Sequence, residues 1–323
     1  MLKALKDRII EATGASNIGE VELVQSLWSG FGAIERVHLW GSEYASIIIK
    51  RIAPPTKMNH PRGWNSNVSA ERKIKSYKIE RYWYENYVPN LPASVKVPNI
   101  LFADTSEDQT VLVLEDLNAL GYDLSYDHQN EEHFNACLLW LAHFHAFHLN
   151  QSANELWKVG TYWHLDTRQE EFERMELGAL KQNAAAIDQK LNACKYQTIV
   201  HGDAKPANFC VNTHGQVAAI DFQYVGKGCG MKDVIYLMSS ALTEEKLEKN
   251  HTDILDRYFL FFESALRDYD KNDVDFQKLR EEWECLYSFA WADFVRFLKG
   301  WSPKHPRLTS FSTQMSEVAL KCL

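Results

Sequence analysis

The stretch Ile199-Val200-His201-Gly202-Asp203-Ala204-Lys205-Pro206-Ala207-Asn208-Phe209-Cys210-Val211, followed by Val217-Ala218-Ala219-Ile220-Asp221-Phe222-Gln223, constrains this chain more than any other part of it. Apolar runs of strand character bracket a polar loop, and Asn212-Thr213-His214-Gly215 between them reads as a hairpin turn. Asp203 and Asn208 stand five residues apart in the loop. The hairpin returns Asp221 beside them, so two carboxylates and a carboxamide are expected to meet at one place.

Composition narrows the classes around that loop. Of 323 residues, 46% are hydrophobic and 24% charged, the profile of an ordinary globular protein, which excludes disorder, collagen and coiled coil for the whole chain. Thirty-five Lys and Arg against 43 Asp and Glu give a net charge of −8, so no basic field is present for nucleic acid or for an anionic membrane. The six cysteines are scattered singly, with no Cys-x-x-Cys pair, which argues against disulfides and zinc. The opening residues, MLKALKDRIIEATGAS, read as a short amphipathic helix rather than a leader, and no stretch is apolar enough to span a bilayer. A cytoplasmic protein is expected.

The coarse outline has two textures. Residues 1–115 are rich in strand signals. Two alternating runs, 21–30 and 33–41, flank a tight Ser29-Gly30-Phe31-Gly32 turn; Tyr44–Lys50 follows; Asn99–Ala103 and Thr110–Leu114 come later, and residues 69–87 have helical spacing. From residue 116 the chain is mostly helical. Residues 131–149 are apolar nearly all round, as in a buried helix, and Phe276, Leu279, Trp283, Leu286, Ala290, Phe294 and Leu298 mark one stripe. The fold class expected is α+β: a two-lobed chain with a β-rich N-terminal lobe, 1–115, and a larger, mostly helical C-terminal lobe, 116–323.

The residue types in the loop suit phosphoryl transfer. That reaction needs a positioned hydroxyl, an acceptor for its proton, and divalent cations on the phosphates, with little covalent chemistry from the protein. Asp203 suits the base, Asn208 and Asp221 offer hard oxygens to Mg²⁺, and Lys205 can reach the transferred group as a point charge.

His-Gly-Asp-x-x-x-x-Asn followed by Ile-Asp-Phe resembles the signature of the aminoglycoside phosphotransferase and choline kinase group, small-molecule kinases with a protein-kinase-like fold. Leu114-Glu115-Asp116-Leu117 and Gly230-Met231-Lys232-Asp233-Val234-Ile235-Tyr236-Leu237, taken with the loop, look most like the ecdysteroid-kinase-like (CHK-kinase-like) branch. The resemblance implies ATP and Mg²⁺ as cofactors and a small-molecule hydroxyl acceptor: a choline-like, aminoglycoside-like, sugar or sterol-like alcohol. It makes Lys50 the lysine on the α- and β-phosphates and Glu80 its first-ranked partner, with Glu71 and Glu85 as rivals. Gly30 and Gly32 fall in the nucleotide-covering loop, and Glu115 to Leu117 in the hinge whose backbone meets adenine. Asp233 braces the catalytic loop, His201 orients its backbone, and Asp221-Phe222-Gln223, lacking the glycine of the protein-kinase Asp-Phe-Gly, implies a fixed loop rather than a regulated one.

Other signals weigh less. His143, His145 and His148 do not converge: 143 lies about 160° from the other two around a helix, so they make no metal site, and His145 reads as a core histidine. Trp291 and Asp293 either meet a cationic or polyhydroxylated acceptor or belong to a helix whose Asp293–Arg296 pair lies on the surface. A catalytically silent nucleotide-binding scaffold is the alternative function, although Lys50, Asp203, Asn208 and Asp221 are all present. A protein kinase is disfavoured, because no long activation segment follows Asp233. Oligomeric state is not legible.

Overall fold

The computed structural model describes residues 3–27, 30–53, 67–106 and 109–323. The chain divides into two compact units: residues 1–125 with 210–220, and residues 126–209 with 221–323.

In the first unit, α1 (Lys3–Thr13) precedes strands β1 (Asn17–Ser26), β2 (Gly32–Trp40) and β3 (Ser46–Ile52), helix α2 (Asn67–Asn86), and strands β4 (Ile100–Thr105) and β5 (Thr110–Glu115). The strands form one antiparallel sheet in the order β1-β2-β3-β5-β4. Alternation along β3 assigns its two faces. Ile47 and Ile49 join Val37, Leu39, Val111 and Val113 in a core closed by Leu5 and Ile9 of α1. Lys50, of the opposite parity, pairs in register with Ile34 and Leu112. The expected sheet-plus-helix composition of this region is thus present; Ser29 of the expected turn, and Pro54, Pro55, Pro61 and Gly63, lie outside the described residues.

The second unit opens with α3 (Glu131–His148), N-capped by Asn130, then three short helices, α4 (Gln169–Arg174), α5 (Ala179–Gln182) and α6 (Ala184–Asn192). Short strands follow: β6 (Thr198–Val200), β7 (Phe209–Val211), β8 (Val217–Ala219) and β9 (Gly226–Gly228). β6 pairs with β9, and β7 with β8. The 210–220 hairpin belongs with the first unit, where Leu124 bridges Val211 and the Ala219 N–H donates to the Lys96 carbonyl. The chain ends in α7 (Met231–Ala241), α8 (Glu244–Asp268), α9 (Phe276–Trp301) and α10 (Ser310–Lys321).

One expectation is corrected here. The apolar spacing in α9 suggested a stripe with a solvent face, yet every residue from Leu286 to Leu298 is buried. Helices α4, α6, α7 and α10 wrap it on all sides, so Asp293 and Arg296 are interior and form no surface pair. Among the described residues, no helix is long and apolar enough to cross a membrane.

Candidate active site

The loop begins where β6 ends. Gly202 has a φ of +81°, and a β-carbon there would stand 2.2 Å from the Tyr224 carbonyl oxygen, so only glycine fits the turn. The turn puts two successive N–H groups, those of His201 and Gly202, onto the carboxylate of Asp233 at 2.6 and 2.9 Å. Asp233 also meets His145 Nε2 at 3.1 Å, and His145 Nδ1 lies 2.8 Å from the Tyr258 hydroxyl. His145 and Asp233 are fully buried, so this chain from α8 through α3 and α7 holds the loop from beneath. His143 and His148 have other partners, Tyr269 and Gln151, and among the described residues no group of His, Cys, Asp and Glu is arranged to hold a metal.

Above the brace, the Asp203 N–H donates to His201 Nδ1 at 3.2 Å. Asp203 Oδ2 accepts from Lys205 Nζ at 3.0 Å and from Asn208 Nδ2 at 3.1 Å; Asn208 Nδ2 also donates to the Asp203 carbonyl at 2.8 Å. Pro206 starts the short 3-10 turn that ends at Asn208. Burial raises the Asp203 carboxyl above the ordinary aspartate range; Lys205 opposes this, and the charge of Asp221 adds to it. Burial also pulls Lys205 down, but Asp203 more than offsets it and the ammonium ends raised. Asp221 itself has a φ of +68°, a left-handed backbone uncommon for a residue with a side chain and often found at functional sites. Behind it Phe222 is buried, its ring 4.6 Å from that of His201, and the Gln223 carbonyl accepts from Trp157 Nε1.

The donor set fits a hard cation. Both hydrogens of the Asn208 amide nitrogen serve contacts within the loop, which leaves its carbonyl oxygen for a ligand, and Asp221 supplies a carboxylate. Mg²⁺ takes few protein oxygens and keeps phosphates and waters for the rest.

In the first unit, Lys50 Nζ lies 2.7 Å from both carboxylate oxygens of Glu80, and both residues are buried. The ammonium also stands 5.5 Å from the centre of the Tyr77 ring. Glu85 pairs instead with Arg81 on its own helix, and Glu71 is exposed. The Gly30 N–H donates to the Leu27 carbonyl at 3.3 Å. Gly32, at φ +134°, lies so close to β3 that a β-carbon would meet the Arg51 carbonyl oxygen at 2.0 Å. At the end of β5, the Glu115 N–H and carboxylate both bind Asn99, and the Leu117 carbonyl accepts from Leu120 and Tyr122. Asp116, which the sequence marked only as part of the hinge, is buried between them; it accepts from Arg36 Nε at 2.6 Å and Ser46 Oγ at 2.7 Å and ties this segment to β2 and β3, a role no local pattern announced.

Trp291 and Asp293 are brought to the interior. Asp293 Oδ1 accepts from Arg296 Nη2 at 2.7 Å and Oδ2 from Trp163 Nε1 at 3.1 Å; Trp291 packs on Phe311 and Tyr287. Three further side chains were assigned no role from the sequence: Tyr162, whose N–H donates to the Gly202 carbonyl, Tyr236, whose ring meets that of Tyr162, and Arg307, which lies over the Tyr236 ring.

A buried pair between a lysine of a five-stranded sheet and a glutamate of the helix that follows, and an Asp–Asn loop followed by a hairpin and a second Asp, define a phosphotransferase of the kinase-like class. The chain belongs to the phosphotransferase enzyme family, whose model matches residues 68–273. No curated protein matches it by sequence. Among solved structures, one from Ralstonia eutropha described as a candidate aminoglycoside phosphotransferase is 12% identical, with a TM-score of 0.55 over 99% of this chain and 94% of that one. The choline kinase of Streptococcus pneumoniae is 13% identical, TM-score 0.45, covering 99% of each chain. A macrolide 2′-phosphotransferase from Brachybacterium faecium is 13% identical, TM-score 0.47, over 100% of this chain and 97% of that one. The first shows the shared fold; at their scores the other two add nothing to the argument.

Proposed function

We propose that this protein transfers the γ-phosphoryl group of ATP, with Mg²⁺, to a hydroxyl of a small molecule. The observation that carries the reading is the loop in which Asp203, buried and raised in pKa, is held between Lys205 and Asn208 on the Asp233 brace. Asp203 orients the acceptor hydroxyl and takes its proton. Lys205 moves its charge onto the transferred group. Asn208 and Asp221 hold Mg²⁺, which neutralises phosphate charge when bound. Lys50, oriented by Glu80, grips the nucleotide phosphates; Gly30 and Gly32 bring backbone N–H groups to them; the hinge from Glu115 to Leu117 receives adenine, with the Leu117 N–H as donor. Trp291 and Asp293, interior and already paired, are not assigned to the acceptor. We place the protein in the cytoplasm, in keeping with its six unpaired cysteines.

An ATP-consumption screen over hydroxyl compounds, with Asp203→Asn as the blank, tests the activity. Failure of every compound, together with no Mg-ATP binding by calorimetry, overturns it. If Mg-ATP binds but no compound is consumed, the silent scaffold is the better reading.

Two further results are expected. The acid limb of the kcat/KM profile lies above the ordinary aspartate value of about 3.9, because burial raises Asp203. Lys205→Ala moves the limb still higher, since losing a neighbouring cation favours the protonated carboxyl; a limb that stays in place belongs to another group. Lys50→Met deprives the buried Glu80 of its ammonium and is expected to cost about 3–5 kcal/mol in urea unfolding, as breaking a buried pair does. The double variant Lys50→Met with Glu80→Gln recovers most of that loss. An unchanged midpoint in the single variant contradicts a structural share for the pair.

A further inference from the structure

Tyr162, Tyr236 and Arg307 are linked in turn to the Asp203 loop. The Tyr162 N–H donates to the Gly202 carbonyl at 3.1 Å, which seats it beside the loop. Its ring centre lies 5.4 Å from that of Tyr236 on α7, and the Arg307 guanidinium lies 5.2 Å from the Tyr236 ring. Burial raises both phenols, the Asp203 charge raises them further, and Arg307 draws both back down. Arg307 also opposes the rise of the Lys205 ammonium, so its charge reaches the loop.

Arg307 stands apart from other arginines of its unit. Arg168 is paired with Glu171 and Arg296 with Asp293; among the described residues no carboxylate pairs with Arg307. It is carried by the turn between α9 and α10, where its N–H donates to His305 Nδ1 at 3.2 Å. From Phe294 to Ser316 the chain has no Asp or Glu and four Lys or Arg. Arg307 lines a cavity of about 330 Å³ with Ser239, Thr243, Thr309, Glu244 and Trp291. The Thr309 hydroxyl accepts from the Ser312 N–H, which leaves its proton to donate. Glu244 is spent on the start of α10, accepting from the Phe311 N–H at 3.0 Å.

We infer that Arg307 receives an oxyanion of the acceptor, so that the substrate is an alcohol also carrying a carboxylate or phosphate, its hydroxyl at Asp203 and its anionic end at Arg307. The inference rests on the kinase reading and deepens it. A guanidinium offers a flat fork of donors that fits an oxyanion in two bonds, and stacking on Tyr236 fixes its plane beforehand. A cationic acceptor would meet Arg307 and Lys205 together and be repelled.

The test uses the full chain and four series of probes, each with carbon chains from butyl to dodecyl: diols, amino-alcohols, hydroxy-carboxylates and hydroxyalkyl phosphates. Phosphorylated product is followed by mass spectrometry, and thermal stabilisation is measured separately without nucleotide. The expected result is a KM for an anionic probe roughly ten- to hundredfold below that of the matching diol, an advantage lost in Arg307→Gln and partly restored in Arg307→Lys. The carboxylate and phosphate arms show which oxyanion is read. Preference for the amino-alcohol, or an anion preference that survives Arg307→Gln, overturns the inference while leaving the kinase standing. If wild type phosphorylates nothing, the kinase reading fails on these probes and stabilisation decides the site. A rise in Tm with anionic probes in wild type that is absent in Arg307→Gln supports it; equal Tm values overturn it.

Discussion

Asp203→Asn is expected to lose roughly 10²–10⁴-fold in turnover while still binding Mg-ATP. Asp203 acts on the acceptor hydroxyl as the transition state forms, so its loss falls on the rate, whereas Asn208, Asp221 and Lys50 are assigned to the nucleotide in the ground state. The substitution keeps the shape of the side chain and one oxygen for Asn208 Nδ2, so the loop has no reason to collapse. Stability gives an independent reading. The folded-state pKa of Asp203 is raised, so the native protein holds this proton to higher pH than the unfolded chain does. Stability therefore falls as pH rises from the unfolded value through the raised one. A neutral asparagine avoids this fall, and Tm at pH 7 should equal or exceed that of wild type. Calorimetry with a non-hydrolysable ATP analogue separates this variant from Asp221→Asn, which removes charge from the metal site and should lose affinity as well as rate. Equal affinity losses in the two would mean that their roles are exchanged. Full activity in Asp203→Asn would remove it from the mechanism.

What was legible in the sequence is what chemistry confines to short spacing. The Asp203 loop, the hairpin and Asp221 lie within one stretch of chain, and each residue type there answers to a need of the reaction. Glu80 was readable only through the family resemblance, whose pattern of a Glu shortly before a Tyr ranked it ahead of Glu71 and Glu85; the structure joins it to Lys50. The Tyr162–Tyr236–Arg307 line was not, since its members come from a loop, a helix and a turn far apart in sequence and meet only through packing. Asp293 shows the opposite failure. Periodicity gave α9 an apolar stripe, but a helix wrapped on all sides has no solvent face, and the few polar residues between Leu286 and Leu298 marked an internal ion pair. The short helices α4 to α6 lack enough turns to show any period at all.

Asp233→Ala should be among the most damaging single substitutions for the fold. The carboxylate is fully buried and satisfies three groups at once: the N–H groups of His201 and Gly202, and His145 Nε2. Alanine leaves two backbone donors and an imidazole without their partner in a site with no exposure. A buried donor that loses its acceptor costs about 1–3 kcal/mol, so a total loss of about 3–5 kcal/mol is expected, a large share of the stability of most domains. Asp233→Asn should cost less, because one oxygen can still serve a backbone N–H, but its amide hydrogens then face a second donor. The two variants separate brace from bulk. If packing alone matters, Asp233→Asn behaves as wild type in urea unfolding. If the hydrogen bonds matter, it falls between wild type and alanine and lowers kcat more than its KM changes, because Asp233 acts on the loop that carries Asp203 through the N–H groups one and two residues before it. A loss below about 1 kcal/mol in Asp233→Ala, within the range of an ordinary surface substitution, would refute the brace.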